Sequence, residues 1–387
     1  MARNLLHLGT YLLVLQINPS LENSLMLKKS LKKVAAASML VGLVVGAMSS
    51  AQASITNGRS IDALVTSGSA PDTPAARVDA NTAASPFSGV VSINIRYSNG
   101  DSFICSGALI DPWHVVSAGH CVDSDGGGHV IDINQPGNDV RVVFNASTLV
   151  GSPGRAIITA TKVDINPGYA GFGNCPVGVS GFCVNDDVAI IRLGTAAPTD
   201  AKTYKLYGAA VGEGTVFTMV GYGTTGDGWD GYVAGSAAFR TKRMGRNVYD
   251  LTDADDEANF APGSAREVWY ADFDGIGRDG TVIDSFCDFF GVCGTTLGNT
   301  VESNIGGGDS GGPSFVMVDG EYQLVANNTF GFAGGYSPRG GFGDGMGGIL
   351  LDPYRAWIDA TAVPEPGSLA LLGLGLTGLA AFRRRRS

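Results

Sequence analysis

Apolar residues in the middle of this chain come in short runs, cut by glycine-rich stretches before a helical face of several turns can develop. Val115-Val116 and Val188-Ala189-Ile190-Ile191 are of strand length and bounded by polar or glycine-containing sequence, so the pattern predicts short strands. Two longer apolar runs stand apart near the ends, Val34–Met48 and Leu369–Phe382. Between Thr224 and Asn299 the chain is long, Asp- and Gly-rich, and the pattern assigns it no element.

Glycine reinforces that picture. There are 57 in 387 residues, roughly twice ordinary usage, with no G-X-Y period, and so many turn-formers favour an all-β fold. Hydrophobic residues at 44% against charged residues at 16% supply a core and exclude wholesale disorder. The net charge of −10 hides an asymmetry: without residues 1–53 and the tail from Pro364, 17 basic and 34 acidic side chains remain. A body that acidic repels phosphate backbones, which argues against nucleic acid as a partner.

The ends read as addresses. Lys28, Lys29, Lys32 and Lys33 precede the Val34–Met48 run, and Ala51-Gln52-Ala53 follows it. A basic segment, an apolar segment and a small-residue site in that order form a secretory signal peptide for signal peptidase, the run being short for a membrane span. The pattern starts at Met26, so residues 1–25 read as an over-called start within a 1–53 leader. At the other end, Val363-Pro364-Glu365-Pro366-Gly367-Ser368, the Leu369–Phe382 run and Arg383–Arg386 together resemble the PEP-CTERM sorting signal of Gram-negative bacteria. The resemblance implies recognition by an exosortase, a transient inner-membrane anchor, removal of the 363–387 tail and delivery to the outer surface or extracellular space. The arginines would hold the tail's end on the cytoplasmic side. A permanent single-span anchor is the alternative.

Six cysteines in an exported chain are expected to pair. Their spacing predicts three local loops, Cys105–Cys121, Cys175–Cys183 and Cys287–Cys293, and the lack of CxxC pairs makes structural zinc improbable. His7 lies in the leader, so any histidine base is His114, His120 or His129. His120 is singled out because it sits in Ser117-Ala118-Gly119-His120-Cys121, where the Cys121 bridge would fix its loop. In Gly306-Gly307-Gly308-Asp309-Ser310-Gly311-Gly312-Pro313, glycines flank one serine. They permit a tight turn that presents the hydroxyl and turns backbone N–H groups toward a developing oxyanion. Gly308-x-Ser310-x-Gly312 also fits the GxSxG elbow of α/β-hydrolases, but that fold needs a histidine after the serine and none follows Ser310. The order is therefore histidine, acid, serine, and Asn185-Asp186-Asp187 leading into an apolar strand offers the acid.

At these residues the chain resembles the chymotrypsin-like, or trypsin-like, serine peptidases: CSGALIDPWHVVSAGHC, NDDVAIIRL and GGGDSGGP match three signatures of that family in order. The resemblance runs from about Ile55 to Ala362, giving a 54–362 peptidase domain. It implies two antiparallel six-stranded Greek-key β-barrels with the active site between them and a short C-terminal helix at Tyr354–Ala360. His120 is then the general base, Asp187 its orienting acid and Ser310 the nucleophile of an endopeptidase acting on protein or peptide substrates through an acyl-enzyme. Gly308 and Ser310 would form the oxyanion hole. Thr329, Phe330 and Gly331, at the end of Leu324–Gly331, would form the substrate-pairing strand. The rivals are a surface adhesion or matrix protein that kept the fold, against which an intact triad argues, and an esterase on the same scaffold.

The resemblance also carries expectations about regulation and specificity. A freed amine at Ile55 is expected beside Asp309, with Val78, after Arg77, as the alternative start. Asn304, six residues before Ser310, takes the position that lines the specificity pocket and carries no charge there, with Glu302 as a substitute if the loop shifts; uncharged substrate side chains are expected. No cofactor is required. Calcium is the one metal considered, in Asp272–Gly280 or Asp123-Ser124-Asp125, with turns preferred. Gly119 stands where the family usually has alanine.

Overall fold

In a computed structural model, residues 66–145, 155–293, 296–336 and 338–362 are described. The signal-peptide reading, Ile55 and the sorting tail lie outside them.

The first half is a barrel. Its strands are β1 (Val90–Arg96), β2 (Ser102–Asp111), β3 (His114–Ser117), β4 (Asp139–Asn145), β5 (Arg155–Ile165) and β6 (Ala189–Leu193). They close in the order β1-β2-β3-β6-β5-β4, so no edge is left for foreign strands. Period-two alternation sorts β1 between two cores: Val91, Ile93 and Ile95 fill the barrel, while Val90 packs toward the second half.

The second half is built on β7 (Val216–Gly221), the short hairpin β8 (Gly226–Asp227) and β9 (Gly231–Tyr232), β10 (Arg243–Val248), β11 (Leu251–Ala254) and β12 (Arg266–Asp272). A second short hairpin, β13 (Gly275–Ile276) and β14 (Val282–Ile283), is followed by α1 (Ser285–Phe290). The described residues end on β15 (Pro313–Val318), β16 (Glu321–Phe332), β17 (Gly345–Leu350) and α2 (Arg355–Thr361). Helix α2 meets the expectation for Tyr354–Ala360 within a residue at each end.

The expected second closed six-stranded barrel is not what forms among the described residues. Seven strands make one sheet in the order β10-β7-β15-β16-β17-β12-β11, and its ladder stays open. The two edges, β10 and β11, are consecutive in the chain and joined only by Tyr249 and Asp250. A link that short spans about 10 Å, so the sheet curls until its edges meet at a corner without pairing. Phe217, Tyr249 and Trp269 fill the curl, with Phe217–Tyr249 centroids 4.1 Å and Phe217–Trp269 centroids 4.8 Å apart. The stretch Thr224–Asn299, to which the sequence assigned no element, supplies three of the seven strands. A shared core joins the halves, with Val116 and Val188 of the first meeting Phe315, Phe330 and Tyr354 of the second.

Candidate active site

His120 sits in a single 3-10 turn, Gly119–Cys121, directly after β3, and the Cys105–Cys121 disulfide ties that turn to β2. The other two expected disulfides, Cys175–Cys183 and Cys287–Cys293, are also formed. Asp187 precedes β6 in a turn where Asp186 takes a positive φ of 61° and its carbonyl accepts from Val188 N at 2.6 Å. That turn drives the Asp187 side chain into the interior, where it is fully buried. Asp187 Oδ2 lies 2.7 Å from His120 Nδ1, and Oδ1 accepts from His120 N at 2.6 Å. An ionised carboxylate only accepts, so the Nδ1 proton points at Asp187 and Nε2 keeps its lone pair.

Burial alone would push the His120 imidazolium down; the charge and hydrogen bond of Asp187, with Asp123 behind them, outweigh it and raise the pKa above its ordinary value. Gly119 has a local reason: a Cβ there would stand 3.1 Å from Asp187 Oδ1 and 3.3 Å from Tyr169. The remaining histidines are elsewhere. His114 Nδ1 is 2.7 Å from Asp111 Oδ2, and exposed His129 pairs with Asp125.

Ser310 reaches the same place from the second half. Gly308 and Gly311 adopt φ of 96° and 75°, and a Cβ at Gly311 would come within 2.1 Å of Ser117 Oγ. Only glycine lets this turn approach β3 so closely. Ser106 locks it in place: its N–H donates to Ser310 O at 2.8 Å and its hydroxyl to Gly308 O at 2.9 Å. The Ser310 hydroxyl itself donates to Thr329 O at 3.5 Å, the long limit of such a bond. The N–H groups of Gly308 and Ser310 have no acceptor among the described residues. Pairing of β16 on this side stops at Asn328, which exchanges bonds with Gly311 and Gly312. Thr329, Phe330 and Gly331 therefore run past the serine with no strand paired on that side among the described residues.

Two contributors escape sequence reasoning. Asn327 Nδ2 donates to Asp187 O at 3.0 Å and to Ser117 O at 3.2 Å, bracing the acid and the histidine strand from the second half. Its signal is an Asn-Asn pair in the buried middle of β16. Phe172, three residues before the Cys175–Cys183 loop, places its ring 5.8 Å edge-on from His120 and 5.9 Å from Phe330.

Asp309 is fully buried, and its carboxylate accepts from Gly223 N at 2.6 Å and Gly306 N at 3.0 Å. Burial pushes its pKa up to about 7 against those two bonds and the charge of Arg243. The alternative start Val78 is bridged antiparallel to Arg243. Upstream of it, Thr66 pairs with Asn304, Ser67 N donates to Gly226 O and Ser69 N to Asn299 O. Asn304 is buried, with Oδ1 taken by Ile305 N and Nδ2 without a partner among the described residues. Glu302 does not form a free negative wall: its oxygens accept from Asp274 N at 2.7 Å, Leu297 N at 2.6 Å and Thr296 Oγ1 at 3.2 Å.

Of the two calcium candidates, Asp123 turns its carboxylate onto the N–H groups of Asp125, Gly126 and Gly128, as a turn does. Asp272 and Asp274 come together with Asp284, their oxygens within 4.8 Å of one another, whereas exposed Asp279 bonds to Thr281 N. His120 also lies near Cys105 and Cys121, but a disulfide offers no thiolate to a metal.

Comparison with known proteins places parts of the chain beside two families. Residues 77–245 match the trypsin family model, a span holding His120 and Asp187 and ending before Ser310, and residues 362–386 match the PEP-CTERM protein-sorting motif. A trypsin-like protease of Streptomyces glaucescens is 30% identical over 125 residues, 32% of this chain and 37% of that protein. Brachyurin of Leptuca pugilator is 28% identical over 129 residues, 33% of this chain and 48% of that protein. Chymotrypsin-like elastase family member 1 of Bos taurus is 26% identical over 259 residues, 66% of this chain and 79% of its own length. The chain thus spans less than half the length of the first two relatives.

Proposed function

We propose that this chain, which carries a trypsin-family domain followed by a PEP-CTERM sorting motif, is an exported serine endopeptidase with His120, Asp187 and Ser310 as its triad. The observation that carries the reading is the two-point hold of Asp187 on His120 beside a serine whose turn leaves two N–H groups without acceptors.

In the proposed cycle, substrate backbone adds along the open edge at Thr329–Gly331 by strand pairing. Rotation of the Ser310 hydroxyl from Thr329 O toward His120 Nε2 lets the imidazole take its proton as Oγ attacks the carbonyl carbon. The tetrahedral oxygen moves to the N–H groups of Gly308 and Ser310, each such donor being worth about 3 kcal/mol of barrier. His120 then protonates the leaving amine, the C–N bond breaks, and water, deprotonated by the same nitrogen, releases the acid from the acyl-enzyme. Asp187 stays ionised and stabilises the imidazolium throughout.

The sorting motif supports export, processing by an exosortase and display at the outer surface of a Gram-negative cell, where the three disulfides would persist. The test is labelling of the folded, processed protein with a fluorophosphonate. An adduct on Ser310 that is lost in Ser310→Ala is expected, and an unreactive Ser310 would sink the enzyme reading in favour of a silent adhesion or matrix protein.

A further inference from the structure

A second group of acidic side chains gathers where the turn carrying Asp187 meets the β11–β12 connection. Carboxylate oxygens of Asp255, Asp256, Glu257 and Glu267 all lie within 4.8 Å of one another. Asp186 abuts them, its carboxyl in hydrogen-bonding contact with Glu257. The charges that Asp186, Asp256 and Glu267 feel most strongly are acidic ones: Glu257, Asp255 and one another. Crowding and burying carboxylates without a counter-ion costs several kcal/mol per charge. One atom marks the shortfall: Asp256 is 2% exposed, and its Oδ1 is buried with no hydrogen-bond partner among the described residues. Glu257, by contrast, is exposed and leaves a way in.

We propose that Asp255, Asp256, Glu257 and Glu267, with Asp186 alongside, bind a calcium ion that ties the Asp187 turn to the second half of the molecule. All the donors are hard oxygens, which favours calcium or magnesium over zinc. Calcium takes six to eight oxygens in flexible geometry, which suits a group of several carboxylates, whereas magnesium keeps most of its waters and takes one or two carboxylates. The junction is already pinned by Asn185, whose Nδ2 donates to Glu267 Oε2 at 2.8 Å and to Ala254 O at 3.0 Å. Tyr354 Oη accepts from Asp186 N at 3.0 Å on the neighbouring side. A cation there replaces repulsion across this junction with a cross-link, one residue from the acid that orients His120. The ion positions the Asp187 turn and touches no reacting atom.

The test is calcium binding to full-length Ser310→Ala protein after dialysis against EDTA, read by calorimetry, by terbium luminescence and by thermal unfolding. Saturable binding in the range of extracellular sites, roughly 0.1–1 mM, and a melting temperature higher by several degrees at 10 mM calcium are expected. Glu257→Gln, a surface change compatible with folding, should weaken binding at least tenfold, and Asp256→Asn further. If Asp256→Asn fails to fold, Glu257→Gln decides. No binding by the folded protein overturns the site, as does affinity unchanged by either substitution. Loss of binding only in Asp274→Asn would move the ion to the Asp272–Asp274–Asp284 group and equally refute it. The readouts are independent of hydrolysis, so they stand or fall apart from the peptidase reading.

Discussion

Asp187 holds His120 at both ends of one carboxylate, Oδ2 on Nδ1 at 2.7 Å and Oδ1 on the backbone N–H at 2.6 Å. The grip fixes the ring's position as well as its tautomer, because the residue's backbone and side chain hang from the same rigid group. Asp187→Asn can keep the shape but not the chemistry. An amide has one acceptor oxygen, so either the backbone N–H or Nδ1 loses its partner, and an amide donor facing the ring favours the tautomer with Nε2 protonated. A fall in kcat of about 10⁴-fold is expected, with folding retained by circular dichroism. A loss under tenfold would mean that Asp187 does not orient the base.

In the proposed mechanism the same pair sets the acid limit of activity. His120 must be neutral to accept the serine proton, and its pKa is raised by Asp187 beyond what burial takes away. Activity should therefore fall as pH drops through a midpoint above about 6.5, the ordinary imidazole value. The corresponding stability has the opposite course: the extra affinity of the folded state for this proton stabilises it fully at low pH and disappears as pH rises through the raised pKa. A kcat/KM profile against pH decides, and an acid limb below 6 would contradict the arrangement.

The first half and the candidate-site residues are readable in the sequence because their signals are local. Val115-Val116 and Val188–Ile191 are unbroken apolar runs next to His120 and Asp187, and the glycines around Ser310 announce a turn that no other residue could make. The second half hid behind long-range pairing. Arg243–Val248, with two arginines and a glycine, has no alternation of its own and becomes β10 only by pairing with Val216–Gly221. Glu302 was equally opaque. Counting back from Ser310 places it near the specificity pocket, but the backbone N–H groups of Asp274 and Leu297 bond to its carboxyl group.

Activation should not follow a cut after Arg77. The Arg77–Asp79 segment lies against β10, with Met244 N donating to Arg77 O and Asp79 N to Lys242 O. Arg77 itself pairs with Asp72, and buried Lys242 Nζ lies 3.3 Å from Asp79 Oδ1. Removing everything before Val78 would strip buried partners from Asn304, Gly226 and Asn299, each worth roughly 1–3 kcal/mol when left unmet. Asp309, meanwhile, already has two backbone donors. N-terminal sequencing of enzyme labelled by fluorophosphonate should give a start upstream of Thr66. A start at Val78 would overturn this.

Substrate preference follows from what Glu302 and Asn304 can no longer offer. Burial, with the charges of Asp272 and Asp250, raises Glu302 to about 8 despite the bonds from Leu297 and Asp274 N–H groups. Near neutral pH it is mostly protonated and already engaged, so it cannot pair with a desolvated Lys or Arg. Asn304, at the position the family resemblance assigns to the pocket, brings dipoles without charge. A buried unpaired cation costs several kcal/mol, so peptides with uncharged residues at the cleaved position should be hydrolysed at least about tenfold better in kcat/KM than those with Lys or Arg. Asn304→Asp should narrow or reverse that ratio. A peptide-library profile settles the matter: strict cleavage after Lys or Arg by the unaltered enzyme would require a negative charge that neither residue supplies.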